Sequence, residues 1–389
     1  MNFRVAKIAF LLFLTLVTVS SIVTSIEAYL FIRAFRFVAL VLLTIFFILY
    51  VRRLNSSLVL YFYLLAVYLA SILIFGNSPI FIIDFLVVLL GIPIVSFVLR
   101  NYNKKDESQY ITFLLFYFYL SVLLTFFLGG FNLENAVLYN FTYEAETLGQ
   151  TSGYSLGISN IYGLFTIAFL YRFLSNDANK WLYAFSGFLA AALTLIGGGR
   201  GEIIVAVVIV FFVMAYWLPF GRQKKGPTIL LLALAVIAYL GSSFTISDDY
   251  SLIINRFLLI LDGDLSSRDI LLFQGFELLS DNVSCLMFGC GLGFFQNYFG
   301  YDLSMYPHNF ILEFIISFGF CTFIFVLVFL IRGLYKHYQL FGQPSLILII
   351  FFHQSLISMK SGYVFGTHLL TVLIICLFSF GLTKAAKYE

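Results

Sequence analysis

Charge is what this chain has least of. Lys, Arg, Asp and Glu together make up 11% of its 389 residues, against roughly 25% in an ordinary globular chain. That scarcity excludes an ordinary soluble domain. The six prolines exclude a Pro-rich linker or tail. There are four cysteines, and their spacing does not suggest zinc. Internal repeats and low-complexity segments are also missing, which sets the chain apart from solenoids and from carriers built of duplicated halves. What is abundant is apolar: hydrophobic residues reach 62%, aromatic residues 20% with 49 Phe and 25 Tyr, and mean hydropathy is +1.02. Such a composition suits lipid-facing surface and interfacial aromatic belts.

A hydrocarbon core of about 30 Å asks for about 20 apolar residues per helix. Runs of that kind lie at about 8–26, 37–51, 57–75, 79–99, 110–128, 156–174, 181–197, 202–218, 226–244, 309–331, 344–359 and 364–382. The sequence therefore predicts an all-α polytopic integral membrane protein of about twelve transmembrane helices. The first run follows Arg4 and Lys7 as a signal peptide would, but it is longer than a typical h-region and more spans follow, so it reads as a retained helix. With the N-terminus inside, all but six of the 22 Lys and Arg fall on the inner face and most of the acids fall outside. This asymmetry places both termini in the cytoplasm. Residues 1–244 then hold nine helices, 245–307 a long outer loop with short helices, and 308–389 the last three. Phe, Leu and Ile recur along that loop, which argues for order, with a helix from Arg268 to Leu279 that packs through Leu271, Leu272, Gly275, Phe276 and Leu279. Such a helix would lie against the bundle or at the lipid interface. A second outer loop, about 129–155, carries Glu134, Glu144 and Glu146.

The six cations that break the sidedness are the informative ones. Arg33, Arg36 and Lys360 read as interfacial snorkelling. Arg200 differs, because it sits in Gly197-Gly198-Gly199-Arg200-Gly201-Glu202 with almost no loop between two apolar runs. Glycines there bare the backbone for a turn or for close approach of a ligand. The guanidinium is either paired with an acid such as Glu202 or Asp84 or aimed at an anionic substrate. Arg268 opens the loop helix beside Asp262, Asp264 and Asp269, where an ion pair is the plain alternative, and Arg256 either snorkels or faces the bundle.

His308 stands in Tyr306-Pro307-His308-Asn309-Phe310-Ile311-Leu312-Glu313, where the long loop meets a span. Pro307 breaks the chain before it, so a helix should start at or near His308. Asn309 and Glu313 are spaced to share a face. Glu313, about one turn into the apolar run, is an ionisable group of the kind that by default marks function. His337 falls in an inner loop, while His353 and His368 sit within spans and read as packed or internally bonded. Gly289-Cys290-Gly291-Leu292-Gly293 lacks the strand and helix of a dinucleotide loop and reads as a flexible turn aimed at the His308 segment. Cys285 and Cys290 could bridge on the outer face, but nothing else in the chain demands a staple, and the unbridged state is favoured. Cys321 and Cys376 read as small buried hydrophobes. Arginine forks match phosphate oxygens and histidine can hold or take a hydroxyl proton. Without a carboxylate, His or Cys set of metal-ligand spacing, the residues point to metal-independent chemistry on a lipid-linked phosphate.

The Gly-Gly-Arg-Gly junction at 198–201, the long outer loop with Arg268, the Gly-x-Gly-x-Gly turn at 289–293, and His308-Asn309-x-x-Leu312-Glu313 followed by Gly319 together resemble the O-antigen polymerase (Wzy) and O-antigen ligase (WaaL) families of bacterial membrane glycosyltransferases. The triple glycine ahead of Arg200 departs from the family, where a Ser is common. The resemblance implies a GT-C-type fold in the bacterial inner membrane, no metal or cofactor, and a periplasmic site. It implies undecaprenyl diphosphate-linked oligosaccharide as donor and, in a polymerase, also as acceptor, with a chain-length regulator and a flippase as protein partners and no nucleic acid. Arg200, Arg268 and His308 would be catalytic. Arg256, Asn309, Glu313, Gly199 and Gly201 would line the substrate, with Asn309 and Glu313 as supports. The aromatic content, the single motif histidine and the acidic outer surface favour the polymerase over the ligase, which would pass polymer to lipid A core. A flippase or secondary carrier would place polar groups near the midplane, and a scaffold would leave Arg200 and His308 without a task.

Overall fold

In an apolar surrounding, each backbone N–H and C=O must find its partner within the segment, so long apolar runs become helices. The computed structural model describes residues 55–75, 82–100, 104–127, 131–132, 137–138, 156–174, 179–196, 268–301, 305–341, 345–361 and 367–382, with isolated positions between 13 and 45 and at 205 and 208. Among them the runs expected at 57–75, 79–99, 110–128, 156–174 and 181–197 are α1 (Asn55–Phe75), α2 (Ile82–Arg100), α3 (Lys104–Phe127), α4 (Leu156–Leu174) and α5 (Lys180–Ile196). The long loop contributes α6 (Arg268–Asp281), α7 (Val283–Phe288) and α8 (Phe294–Phe299). The last three runs are α9 (Phe310–Phe341), α10 (Leu346–Ser361) and α11 (His368–Leu382). A two-residue antiparallel ladder, β1 (Phe131–Asn132) with β2 (Val137–Leu138), is the sole strand pairing among the described residues. One described helix, Phe310–Leu340, is long and apolar enough to cross a membrane. The runs at 8–26, 37–51, 202–218 and 226–244 lie outside the described residues, isolated positions apart. So do Arg33, Arg36, the loop acids Glu134, Glu144 and Glu146, and the side chains of Asp84 and Lys360.

The chain divides into two compact units. The first holds α1, α2 and α6 to α11. Its central helix is α11, buried along most of its length from Leu369 to Gly381. The backbones of α9 and α11 meet at glycines: a Cβ on Gly333 would run into the Leu377 carbonyl oxygen, and one on Gly381 into that of Phe329. Small residues at such a crossing let two helices approach to backbone contact. On another side of α11, Ser96 Oγ of α2 lies 3.2 Å from Cys376 Sγ. Tyr61 of α1 donates to the Phe85 carbonyl of α2 at 3.1 Å, and the Tyr68 and Phe85 rings stack at 4.7 Å. Cys376 is buried as expected, whereas Cys321 is exposed. His337 is not in a loop. Helix α9 runs ten residues past the expected end at 331, and His337 is buried within it. Lys336, one residue before, donates to the Phe380 carbonyl at 3.3 Å and lies 4.7 Å from the centre of the Phe380 ring, which lets the helix carry cations without ending.

The second unit contains the described residues of α3 from Lys105 onward, together with α4 and α5. Its core is aromatic. Phe118 of α3 meets Phe165 and Phe169 of α4 edge-on at 5.4 and 5.3 Å, geometries that favour the ring quadrupoles. Ser159 bonds the Thr194 carbonyl at 3.1 Å and so ties α4 to α5. Glu107, almost fully buried, receives the Tyr171 hydroxyl at 3.0 Å.

Candidate functional site

The His308 segment is built from its capping outward. Asn309 is the N-cap of α9: its Oδ1 accepts the Leu312 N–H at 3.0 Å, and its own carbonyl accepts the Glu313 N–H at 3.0 Å. A side-chain acceptor at this position satisfies one of the donors a helix start leaves over. The helix thus begins at Phe310, two residues after His308. The other end of the Asn309 amide donates to the Met359 carbonyl of α10 at 3.0 Å, fixing the helix start to a second element. Both ends of this side chain are therefore engaged by the fold itself. Glu313 lies in the first turn and is only 4% exposed, where the unpaired N–H groups of the helix start favour negative charge. His308 has φ 52 and is the only non-glycine with positive φ among the described residues. It is half-buried, with its ring 4.0 Å from that of Tyr306. A left-handed backbone at a residue with a Cβ persists only where the surroundings impose it, and such residues concentrate at functional sites.

Helix α9 is in two pieces. At Gly319 (φ 83, ψ 157) the path leaves helical geometry, separating 310–318 from 320–341. A break exposes the last carbonyls of the first piece, and these must be satisfied. The Gly289–Gly293 turn does so: Cys290 N–H donates to the Ile316 carbonyl at 2.7 Å and Gly291 N–H to the Ser317 carbonyl at 3.0 Å. Glycine is needed on both sides of the contact. A Cβ on Gly289 would lie 2.5 Å from the Ser317 oxygen, and one on Gly319 2.5 Å from the Met287 oxygen. Gly289, Gly291 and Gly293 all have positive φ. Cys285 and Cys290 are joined in a disulfide that closes the base of this turn, contrary to the unbridged state expected. The reason for a staple is local: the turn is the cap of a broken helix and must be held in place. The turn is accordingly fixed, and it packs at the far end of the His308 piece, on Ile316 to Gly319, instead of at His308.

Helix α6 crosses the first piece near its start. A Cβ on Gly275 would meet Leu312 Cδ2 at 2.6 Å and Pro307 Cβ at 3.6 Å. Leu271, Leu278 and Leu279 pack with Leu312, Ile316, Cys285 and Phe295. The expected stripe holds at Leu271, Gly275 and Leu279, and Leu272 is half-buried. Phe276, expected inside, is exposed, and Leu278 takes the inward place because it shares the 271, 275, 279 face at helical spacing. Arg268 begins α6, seven residues, or about 10 Å of helix rise, from the Gly275 crossing. A hydroxyl–amide pair strengthens the same corner: Tyr301 Oη lies 2.8 Å from Gln274 Nε2 and 3.0 Å from Gln274 Oε1. The sequence had singled out neither residue, and nothing in their spacing signals the pair.

Of the expected site residues, His308, Asn309 and Glu313 belong to one local assembly within the first unit, whereas Arg268 opens α6 and its side chain lies outside the described residues. Arg200, Gly199, Gly201, Glu202 and Arg256 lie outside the described residues. Among the described residues no three His, Cys, Asp or Glu side chains form a metal-ligand group. Of the other histidines, His353 is buried with Nδ1 3.2 Å from Gln354 Nε2, and His368 starts α11.

Fold and site together define a helical protein with one described helix fit to cross a membrane, headed by a capped and clasped short piece that presents a histidine. The chain matches no protein-family model and no curated protein.

Proposed function

We propose that the chain is a polytopic inner-membrane glycosyltransferase of about twelve spans, both termini cytoplasmic, that polymerises undecaprenyl diphosphate-linked oligosaccharide repeat units on the periplasmic face. The observation that carries this reading is His308. It is held in a left-handed backbone beside a helix start fixed to Met359, with the helix that begins at Arg268 lying across the same piece. Twelve apolar runs and the sidedness of Lys and Arg support the membrane topology. The resemblance of the Arg200, Arg268 and His308 motifs supports the chemistry.

In this reading the terminal sugar hydroxyl of the acceptor attacks the anomeric carbon of the donor glycan. The new C–O bond forms as the bond from that carbon to the diphosphate oxygen breaks, and undecaprenyl diphosphate leaves with the electron pair. His308 orients the hydroxyl and takes its proton. Arg268 and Arg200 hold the diphosphate and stabilise the charge gathering on it, as arginine's fixed fork allows. Glu313 and Asn309 keep the short helix in place beneath His308, and Arg256, Gly199 and Gly201 are assigned to substrate contact by the same resemblance.

Purified protein in proteoliposomes, given one lipid-linked repeat unit, should produce a ladder of polymer. His308→Ala and Arg200→Ala should each lower the rate by ~10²–10³, the usual loss when one charge-stabilising or proton-transferring group is removed, with protein level unchanged. A ladder that persists in both variants would refute the assignment. Transfer of the single repeat unit to added lipid A core, with no ladder formed, would make the protein a ligase.

A further inference from the structure

We propose that the α6–α7 segment lies in the bilayer interface, with the acyl chains of the outer leaflet covering the side opposite its protein contact. This needs a membrane around the second piece of α9 but not the polymerase reading. Around α6 the residues sort into three sectors at helical spacing. Leu271, Gly275, Leu278 and Leu279 are buried. Gln274, Glu277 and Asp281 form a polar edge, into which Ile270 is set with 61% of its surface exposed. Phe273 and Phe276 lie on the remaining side, 71% and 56% exposed, with the exposed Ser280 between them. A helix with one flank on protein and an outer side that mixes bare Ile270, Phe273 and Phe276 with Gln274, Glu277, Ser280 and Asp281 suits the boundary between water and lipid.

The contact at the helix break joins the end of this segment to the helix fit to cross a membrane. The backbone of Phe288, at the end of α7, lies against Gly319, since a Cβ there would be 2.5 Å from Phe288 C and 2.6 Å from its Cα. The Phe288 side chain is 77% exposed. Gly319 is followed directly by Phe320, which with Ile324, Val328 and Ile331 is exposed along one side of the helix fit to cross a membrane. The exposed Phe288 side chain therefore lies where the exposed stripe of that helix begins, and the solvent that suits one suits the other. Acyl chains are the occupant continuous with both.

The test uses the full-length protein in lipid nanodiscs. The two native tryptophans, Trp181 and Trp217, are replaced by Phe, and single reporters are introduced as Phe273→Trp, Phe288→Trp and, as an internal control, Phe295→Trp in the packed cluster. With brominated phospholipid acyl chains, emission at positions 273 and 288 should fall roughly twofold or more, as expected for side chains about 5–10 Å into the boundary. Iodide in the buffer should have little effect at either position, and position 295 should respond to neither quencher. Quenching of 273 and 288 by iodide without bromolipid would place the face in water. Indifference to both quenchers would mean that protein covers it. Either result overturns the proposal, and agreement of two separate reporters guards against one substitution disturbing the fold.

Discussion

Replacing Gly319 by alanine tests the account of the broken helix most directly. Two effects add. At φ 83 and ψ 157 the residue occupies backbone space that is essentially reserved for glycine, and a side chain there costs about 1–3 kcal/mol. The new Cβ would also meet the Met287 oxygen and the Phe288 backbone at 2.5 Å, so the turn must retreat and release the bonds from Cys290 and Gly291 to Ile316 and Ser317. At about 1 kcal/mol each, those two bonds bring the expected loss to about 3–5 kcal/mol. Gly300→Ala is the built-in comparison. It too has positive φ, at 68, but nothing lies within 4 Å of its added Cβ, so only the left-handed backbone penalty of about 1–2 kcal/mol applies. Equilibrium unfolding of both variants in mixed detergent micelles, followed by circular dichroism, gives the difference. If Gly319→Ala is no less stable than Gly300→Ala, the turn is not clasped to the break and the argument fails.

Asn309→Ala should lose about 1 kcal/mol as an N-cap together with the bond to Met359. Asn309→Asp keeps the acceptor, so its unfolding midpoint should fall between those of wild type and Asn309→Ala. Removing the disulfide by Cys285→Ser with Cys290→Ser should lower stability by about 2 kcal/mol on the chain-entropy estimate for so short a loop. Dithiothreitol should shift the unfolding midpoint of the wild type in the same direction and leave the double variant unchanged. Gly333→Val would push α9 off α11 at the Leu377 carbonyl and should cost about 1–3 kcal/mol as overpacking, read in the same unfolding assay, while Cys321→Ala on the exposed side of α9 should be close to neutral.

The apolar runs located helices well because their cause is local: a stretch of Leu, Ile and Phe with no polar partner nearby has no better backbone state than a helix. Residues 156–174 were bounded to the residue, and the loop helix from Arg268 was recognisable from Leu271, Gly275 and Leu279. What escaped was set by contacts distant in sequence. Gly319 stands in an apolar run like any other small residue, and only the Gly289–Gly291 turn pressing on it makes it a break. The bond between Cys285 and Cys290 could not be chosen from spacing, because the need for it arises from the cap it holds. His308 was visible by its neighbours Pro307 and Asn309, but its left-handed backbone was not. The exposure of Phe276 is not legible in sequence, since a stripe of apolar residues does not tell which of two apolar flanks faces protein. The charged neighbours of His337 resemble a helix end, whereas Lys336 finds the Phe380 carbonyl and ring within the packed pair α9 and α11.

A helix divided at Gly319 has two axes instead of one. The short piece beneath His308 is moored at both ends, by Asn309 to Met359 on one side and by Cys290 and Gly291 on the other, while the long piece is gripped separately by α11 at Gly333 and Gly381. The position of the histidine is thus surveyed from the loop and from α10, and the tilt of the long segment enters only through a single glycine hinge point.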